Sequence, residues 1–280
     1  MKERPLLYAH IAVFFFGLAG IVARSIPLDA ITVVAGRVFF ASLSLLVIIL
    51  LRRQSFRIHS FKHFLFFSLS GIILAAHWGL FFYSVKISSI AIGLLTVSTF
   101  PIFAAILEPI FFKEKFKPTT LILGLIALGG IVLVIPDFTP GNNALTGAIA
   151  GTAAGLLFAF LSLINRRFVS EYKGTVLAFY QDLFAFVVLL PFVFVIRPEF
   201  TLPDIAWLAF LGVFCTGIAH TLFIISLRKL KTATAGILSM LEPVYGILIA
   251  IPLFGEIPDV KTIFGGLIIL TVAVISSRKS

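Results

Sequence analysis

Apolar runs of about twenty residues recur along the whole chain, and short polar turns separate them. A helix of that length crosses a bilayer core of about 30 Å. The pattern therefore indicates a helical membrane protein. We predict an all-α membrane protein with ten transmembrane helices, at 6–23, 30–51, 63–85, 88–112, 118–135, 145–164, 174–196, 203–227, 232–254 and 259–277.

The composition excludes two other classes. Hydrophobic residues make up 60% of the chain and charged residues 12%, whereas a soluble domain is about half apolar and about a quarter charged. The net charge of +10 does not indicate a nucleic-acid partner, because the basic residues lie between the apolar runs, where they orient helices. The one cysteine, Cys215, allows neither an intrachain disulfide nor a cysteine-based metal site.

Lysine and arginine are distributed unequally across the predicted membrane. With ten alternating helices, 17 of the 22 Lys and Arg residues fall on the side of the two termini, 4 on the other side, and Arg37 inside a helix. The basic side of a membrane protein faces the cytoplasm. We therefore predict a multi-pass protein of the inner (plasma) membrane with both termini cytoplasmic. The first run is treated as a retained helix, because no small-residue cleavage site follows it.

The second half of the chain resembles the first at an offset of 142 residues. At that offset Pro101 aligns with Pro243, Glu114 with Glu256 and Gly124 with Gly266. Lipid does not select for prolines and glutamates, so duplication explains the match better than chance. Because five helices is an odd number, a second copy (141–280) must enter the membrane inverted relative to the first (1–140). Inverted repeats are typical of secondary transporters, whose substrate binds near the midplane.

Glu242 lies directly before Pro243, near the middle of predicted helix 9. A proline inside a helix removes one backbone hydrogen bond, and the freed carbonyl is tolerated where protein or water satisfies it. We expect Glu242 to face a polar cavity and to bind a cationic or amino group, or to carry a coupling proton. The alternative is a neutral glutamic acid that is hydrogen-bonded between helices.

Four other ionisable residues inside the apolar runs are candidates for gating or coupling: Arg37, Glu108, Asp182 and His220. Such groups usually face a cavity or a partner. Arg37 lies about two turns from the outer end of its helix and Asp182 about two turns from the inner end. We therefore expect each to line a different mouth of the path, or to form an interhelical hydrogen bond. Glu108 lies about one turn before Lys113 and could pair with it.

Aromatic residues of helix 3 are candidates for a solute-binding wall. His77, Trp78 and Phe81 share one helix face by the spacing of three and four residues. Such a face could hold a planar or cationic solute by stacking. Tyr245 shares the face of Glu242, so we predict that these five residues bind the solute. Ordinary packing is the alternative, because the chain has 32 phenylalanines.

These motifs resemble the drug/metabolite transporter superfamily, in its ten-helix EamA branch. The matching stretches are "LEPVYGILIAIPLFGE" (241–256), "FPIFAAILEPIFFKEK" (100–115) and "GRVFFASLSLL" (36–46). The resemblance implies alternating access for amino acids, metabolites, nucleotide sugars or drugs, along a path between helices 1, 3, 4, 6, 8 and 9. His77, Trp78, Phe81, Glu242 and Tyr245 fall on helices that line this path.

The predicted function is secondary transport of a small organic solute, an amino acid or a related metabolite, with export as one direction. No nucleotide-binding motif G-x-x-x-x-G-K-[ST] and no H-E-x-x-H metal motif occurs in the sequence, so we predict no enzyme, no cofactor and no metal. The predicted partners are the solute, the lipid bilayer and a coupling proton. The alternatives are a flippase for lipids or lipid-linked sugars on the same fold, and, with less support, an intramembrane enzyme.

Overall fold

The computed structural model describes residues 5–113, 118–135, 141–230, 235 and 238–279. Glu114, most of the predicted turn at 136–143 and the beginning of predicted helix 9 lie outside these residues. All regular secondary structure in the described part of the chain is helical. The helices are α1 (Pro5–Ser25), α2 (Ala30–Leu51), α3 (Phe61–Ile87), α4 (Ile90–Val97), α5 (Phe100–Phe112), α6 (Pro118–Val134), α7 (Asn143–Phe168), α8 (Gly174–Ile196), α9 (Leu202–Gly212), a π-helical segment (Val213–Ile218), α10 (Ala219–Ser226), α11 (Leu241–Phe254) and α12 (Val260–Lys279).

Ten helical segments account for the predicted spans. Seven segments of the described chain are long and apolar enough to cross a membrane, and three shorter apolar helices accompany them. Helices α4 and α5 together form one long segment, and α9, the π-helical segment and α10 form another. The prediction of an all-α membrane protein with ten spans is confirmed, and α2 and α8 begin and end where predicted.

Several helices begin at polar caps that the turns supply. The Asp29 carboxylate accepts a hydrogen bond from the Thr32 amide at 2.9 Å and caps α2. Thr201 and Asp204 form a reciprocal capping box at the start of α9. Asp259 accepts from the Thr262 amide at 2.7 Å, and the hydrogen bonds from Thr262 lower the pKa of Asp259. These caps satisfy amides that have no partner inside the helix.

Two of the spans are broken in the middle, each just before an aligned proline. Helix α4 ends at Val97, and α5 begins at Phe100 with Pro101 in its first turn. Helix α11 begins at Leu241, after a turn at Met240, with Pro243 in its first turn. The expectation that Pro243 interrupts a helix interior is therefore wrong. A proline is tolerated in the first turn because its missing amide would have no intrahelical partner there.

Helix packing follows a pattern that exchanges the two halves of the chain. Helix α3 packs on α7, just as α10 packs on α1. Helix α4 packs on α7, just as α11 packs on α1. Helices α2 and α8 pack on each other, and so do α6 and α12. The pattern is the one expected of a duplication, and the boundary at 140/141 and the inverted orientation stay predictions.

The ends of the spans form two faces that differ in charge. We call the face with most of the Lys and Arg residues the basic face; it includes Arg52, Arg53, Arg57, Lys62, Lys113, Arg166, Arg167, Lys173 and Arg228. The opposite face carries Arg24, Lys86, Arg197 and Lys261. Between the faces, large apolar side chains such as Leu50 and Leu248 are more than half exposed, as expected where helices contact lipid.

Candidate functional site

A fully buried arginine lies at the centre of the helical bundle. Arg37 of α2 is 0% exposed. Its Nε donates a hydrogen bond to Thr216 Oγ1 at 2.8 Å, and its Nη2 donates to the Cys215 carbonyl oxygen at 3.1 Å. The guanidinium carbon lies 3.7 Å from the centre of the Trp78 ring, so a cation–π contact adds to these bonds. Its third nitrogen, Nη1, is buried without a hydrogen-bond partner in the described chain.

The π-helical segment supplies both hydrogen-bond partners of Arg37. Cys215 and Thr216 lie within Val213–Ile218, where the wider turn displaces backbone carbonyls from the regular helical ladder. The Thr216 hydroxyl donates to the Leu211 carbonyl oxygen at 2.8 Å and accepts from Arg37. Single π-turns of this kind are frequent at functional sites.

Asp182 and His220 are also buried near Arg37, and their polar atoms have no hydrogen-bond partners among the described residues. The charge of Arg37 interacts electrostatically with Asp182 and with His220. Arg37 and Asp182 form no ion pair within 4 Å in the described chain. Both lie in the interior, so the expectation that each lines a mouth of the path does not fit this conformation. Unsatisfied buried polar groups are rare in native proteins, so this region is the candidate for a binding site.

A small cavity of about 20 Å³ lies beside these residues. It is large enough for about one water molecule. Both helix breaks contribute to its wall, because Val97 and Ser98 come from the first break and Glu242 follows the second. The lining residues are Phe16, His77, Trp78, Phe81, Val97, Ser98, Phe100, Phe158 and Glu242. We call this space the central cavity.

Glu242 is partly accessible although it lies deep in the bundle. Glu242 lines the central cavity, and its carboxyl group interacts electrostatically with Arg37. Within the described residues it makes no hydrogen bond and no ion pair. Glu242 lies in the first turn of α11 rather than in a helix interior, and its role in a polar cavity stays a prediction.

The predicted aromatic wall is largely assembled. His77, Trp78 and Phe81 all line the central cavity. The Nδ1 of His77 donates to the Ala154 carbonyl oxygen at 2.9 Å, and its ring stacks on Phe158 with 5.0 Å between ring centres. Tyr245 is not part of this wall. It packs edge to face on Phe14, which is 42% exposed.

An ion pair joins helix ends at the opposite face. Arg24 at the end of α1 lies 3.4 Å from Glu256, which follows α11. Arg24 also donates to the carbonyl oxygens of Val85 and Lys86 at 2.9 and 2.7 Å. Glu256 accepts a hydrogen bond at 2.9 Å from the Ile90 amide at the start of α4. These contacts join α1, α3, α4 and the segment between α11 and α12.

A second ion pair joins two helices at the basic face. Glu108 of α5 is bonded to Arg166 of α7. The sequence suggested that Glu108 could pair with Lys113. In the structure Glu108 pairs instead with Arg166 on another helix. Arg24 and Arg166 are 142 residues apart, the offset that aligns the two halves. Glu114, the aligned counterpart of Glu256, lies outside the described residues.

Several residues of the site escaped the sequence reasoning. Phe16, Phe100 and Phe158 have no distinguishing signal among the many phenylalanines, and Thr216 is a common residue in membrane helices. Ser98 could have been found, because the aligned Pro101 marks the start of α5, which begins two residues after Ser98.

One group of side chains in the described chain brings three potential metal ligands together. The ligand atoms of His59, His63 and Glu171 all lie within 4.8 Å of one another. The group lies at the basic face, where α3 begins and α7 ends. None of its three residues lines the central cavity. The sequence did not predict it.

Ten apolar spans around a buried polar cluster, with an ion pair at each face, define a membrane transport protein. The EamA-like transporter family model matches residues 4–135 and again residues 145–278, and the chain belongs to this family. The resemblance to the ten-helix drug/metabolite transporters is thus confirmed. The family and the names of the relatives indicate a transporter and not an enzyme.

The relatives are distant but cover most of the chain. The uncharacterized transporter YwfM of Bacillus subtilis is 25% identical over 97% of this chain and 93% of its own length. An uncharacterized transporter of Helicobacter pylori (strain J99) is 29% identical over 83% of this chain and 81% of its own length. Human solute carrier family 35 member G1 is 22% identical over 95% of this chain and 76% of its own length. A crystal structure matches with a TM-score of 0.72 over 99% of this chain and 98% of that chain, and its 17% identity supports the fold alone.

Proposed function

We propose that this protein is a secondary transporter that moves a small zwitterionic solute, such as an amino acid or a related metabolite, by alternating access. The observation that carries the proposal is a fully buried arginine and a fully buried aspartic acid, both with unbonded polar atoms. Arg37 keeps Nη1 and Asp182 keeps both oxygens without partners in the described chain. Burying such groups unpaired costs several kcal/mol, which a ligand of complementary charge offsets.

The separation of the charges favours a zwitterion over a simple anion or amine. The guanidinium of Arg37 offers a site for a carboxylate, whereas Asp182 and Glu242 offer acceptors for an ammonium group. The rings of Trp78 and Phe81 then contact the apolar part of the solute. Trp78 lies between the central cavity and Arg37, so its side chain would have to move for a solute to reach the guanidinium.

The two ion pairs supply the gates that alternating access requires. The Arg24–Glu256 pair joins helices at the opposite face, and the Arg166–Glu108 pair joins helices at the basic face. Both pairs are formed in this conformation, and the central cavity has room for about one water molecule. We interpret the conformation as the closed state between outward-facing and inward-facing forms. Opening one pair at a time would expose the cavity to one side of the inner membrane.

Glu242 is our candidate for the group that carries a coupling proton. Glu242 lines the central cavity, and no ion pair within the described chain holds its carboxyl group in the charged form. A proton gradient would then drive transport of the solute. His220, which interacts electrostatically with Arg37, is a second candidate for carrying the proton. The basic face would be cytoplasmic, by the positive-inside rule.

The test begins with a thermal-shift screen of the purified protein. Amino acids, the matching amines and the matching carboxylic acids are compared, and a zwitterion is expected to raise Tm where neither half-molecule does. Binding of ligand at 100 times its Kd stabilises the folded state by about 2.7 kcal/mol. Glu242→Gln is screened in parallel, and a solute that stabilises both proteins equally does not bind at Glu242.

Counterflow in proteoliposomes then tests transport of the solute found. Labelled solute should accumulate in vesicles preloaded with unlabelled solute, chemically unchanged, and oriented vesicles report export or import. Recovery of a converted product would favour an intramembrane enzyme. Scrambling of a labelled lipid without any solute counterflow would favour the flippase.

A further inference from the structure

A groove at the basic face, separate from the central cavity, lies between α3, α5 and α7. Its volume is about 270 Å³. Phe66, Phe112 and Phe168 form its apolar walls, and Lys62, His63 and Arg167 lie at its polar end. The groove therefore combines an apolar trough with positive charge at the level where the helices leave the membrane.

The groove is open toward the lipid-facing surface. Phe111 of α5 forms part of its wall and is 44% exposed. The neighbouring Ile110 is 69% exposed, and Leu65 of α3 is 52% exposed. Exposed large apolar side chains on a membrane helix contact acyl chains, so an occupant of the groove can enter sideways from the bilayer.

The charges at the polar end favour an anion. Lys62 and Arg167 are both exposed. Glu171 opposes them, because it pairs with Arg167 at 3.0 Å and lies 3.8 Å from His63. The neighbouring Arg166 is neutralised by Glu108 and rests on the Phe112 ring at 4.7 Å. Two cations against one carboxylate leave a positive excess at this end.

A metal cation is the competing occupant, because His59, His63 and Glu171 have suitable ligand atoms. The Nδ1 of His63 is already bonded to the Tyr172 hydroxyl at 2.7 Å, which directs its other nitrogen toward Glu171. A divalent ion there would lie beside Arg167, which already occupies Glu171. Repulsion from this guanidinium and loss of its ion pair both oppose the metal.

We propose that this groove binds an anionic phospholipid of the cytoplasmic leaflet. The lipid phosphate lies between Lys62 and Arg167, and one acyl chain packs on Phe66, Phe111 and Phe112. Basic pockets between transmembrane helices on the cytoplasmic side bind acidic headgroups in this way. The site is independent of the proposed solute, because it shares no residue with the central cavity.

Native mass spectrometry of the full-length protein with defined lipids tests the proposal. The wild-type protein should retain phosphatidylglycerol and lose phosphatidylcholine of the same chain length. Lys62→Gln combined with Arg167→Gln should retain phosphatidylglycerol at least about twentyfold less, since each basic residue near an anionic lipid contributes about fivefold. Arg197→Gln combined with Lys261→Gln removes the same charge from the opposite face and should leave retention unchanged.

Three results would overturn the proposal, provided that both double variants elute as the wild type does. Equal loss in the two double variants would show that net charge alone determines retention. An equal rise of the protein's Tm with glycerol phosphate and with phosphatidylglycerol would indicate a site for a free anion. A metal site would be indicated if Zn²⁺ raised the Tm of the wild type but not of His59→Ala, and if the protein showed no preference for phosphatidylglycerol.

Discussion

At the scale of single residues, Arg37 carries a full charge in a region that excludes bulk water. Two hydrogen bonds and the Trp78 ring hold the guanidinium from two sides. A lysine would keep the charge, but it has neither a planar face for the ring nor a fixed fork for a carboxylate. The residue type therefore matters here beyond the sign of the charge.

We expect Arg37→Lys to weaken binding of the solute about tenfold, because planar stacking on the Trp78 ring and a two-pronged carboxylate contact are both lost. Isothermal titration with the solute from the screen measures the effect. Arg197→Lys, on the exposed end of α8, is the control and should bind as the wild type does. Unchanged affinity in Arg37→Lys would remove Arg37 from the proposed site.

His220 gives a second prediction at this scale. Both of its ring nitrogens are buried without hydrogen-bond partners in the described chain, and an unsatisfied buried group costs about 1–3 kcal/mol. His220→Leu should therefore raise Tm by a few degrees while transport falls. His77→Leu is the matched control and should lower Tm, because it deletes the bond to the Ala154 carbonyl. A lower Tm for His220→Leu would mean that its nitrogens are satisfied by water.

At the scale of elements, the site depends on two interrupted helices. The break between α4 and α5 lies against α7, where "GTAAG" (151–155) has the small-xxx-small pattern that permits close helix approach. A Cβ on Gly155 would lie 2.8 Å from the Val97 carbonyl oxygen and 3.0 Å from Thr99 Oγ1. The glycine therefore lets α7 support the break directly.

We expect Gly155→Ala to destabilise the protein by about 1–3 kcal/mol, because the backbone it would contact cannot move easily. Thermal unfolding in detergent measures the change. Gly79→Ala is the control, since a Cβ there meets nothing within 4 Å and the gain in helix propensity is at most about 1 kcal/mol. Equal effects of the two substitutions would contradict a supporting role for Gly155.

At the scale of the whole molecule, the two ion pairs join helices that the pseudo-symmetric packing relates. Arg24 joins α1 to the end of α11, and Arg166 joins α7 to α5. Partly exposed ion pairs contribute about 0.2–1 kcal/mol. That energy is small enough for the two pairs to act as the gates proposed above.

Accessibility of the central cavity tests this arrangement. In a Cys215→Ala background, Ser98→Cys places a thiol in the cavity wall. Adding Glu256→Gln should speed its labelling by an impermeant maleimide about two- to fivefold from the opposite face. Glu108→Gln should do the same from the basic face. Faster labelling from one and the same face in both variants would contradict two separate gates.

The outcomes for individual residues show which features a sequence can reveal. Arg37, His77, Asp182, His220 and Glu242 could be found, because ionisable groups in apolar runs stand out against lipid-facing composition. The partner of Glu108 could not be found, because Arg166 is 58 residues away in the chain. The position of Tyr245 was missed for a related reason. A shared helix face predicts only an approximate direction, and the ring of Tyr245 packs on Phe14 while Glu242 lines the central cavity.

The sequence by itself determined the ten apolar spans, their alternation with basic turns and the resemblance between the halves. These are properties of hydrophobic length and of charge position, which lipid and water act on locally. The tertiary structure alone decided where the helices break, which carboxylate pairs with which arginine, and which polar atoms are left unbonded in the interior. Those features depend on contacts between residues far apart in the chain, and no local pattern of residues encodes such distances.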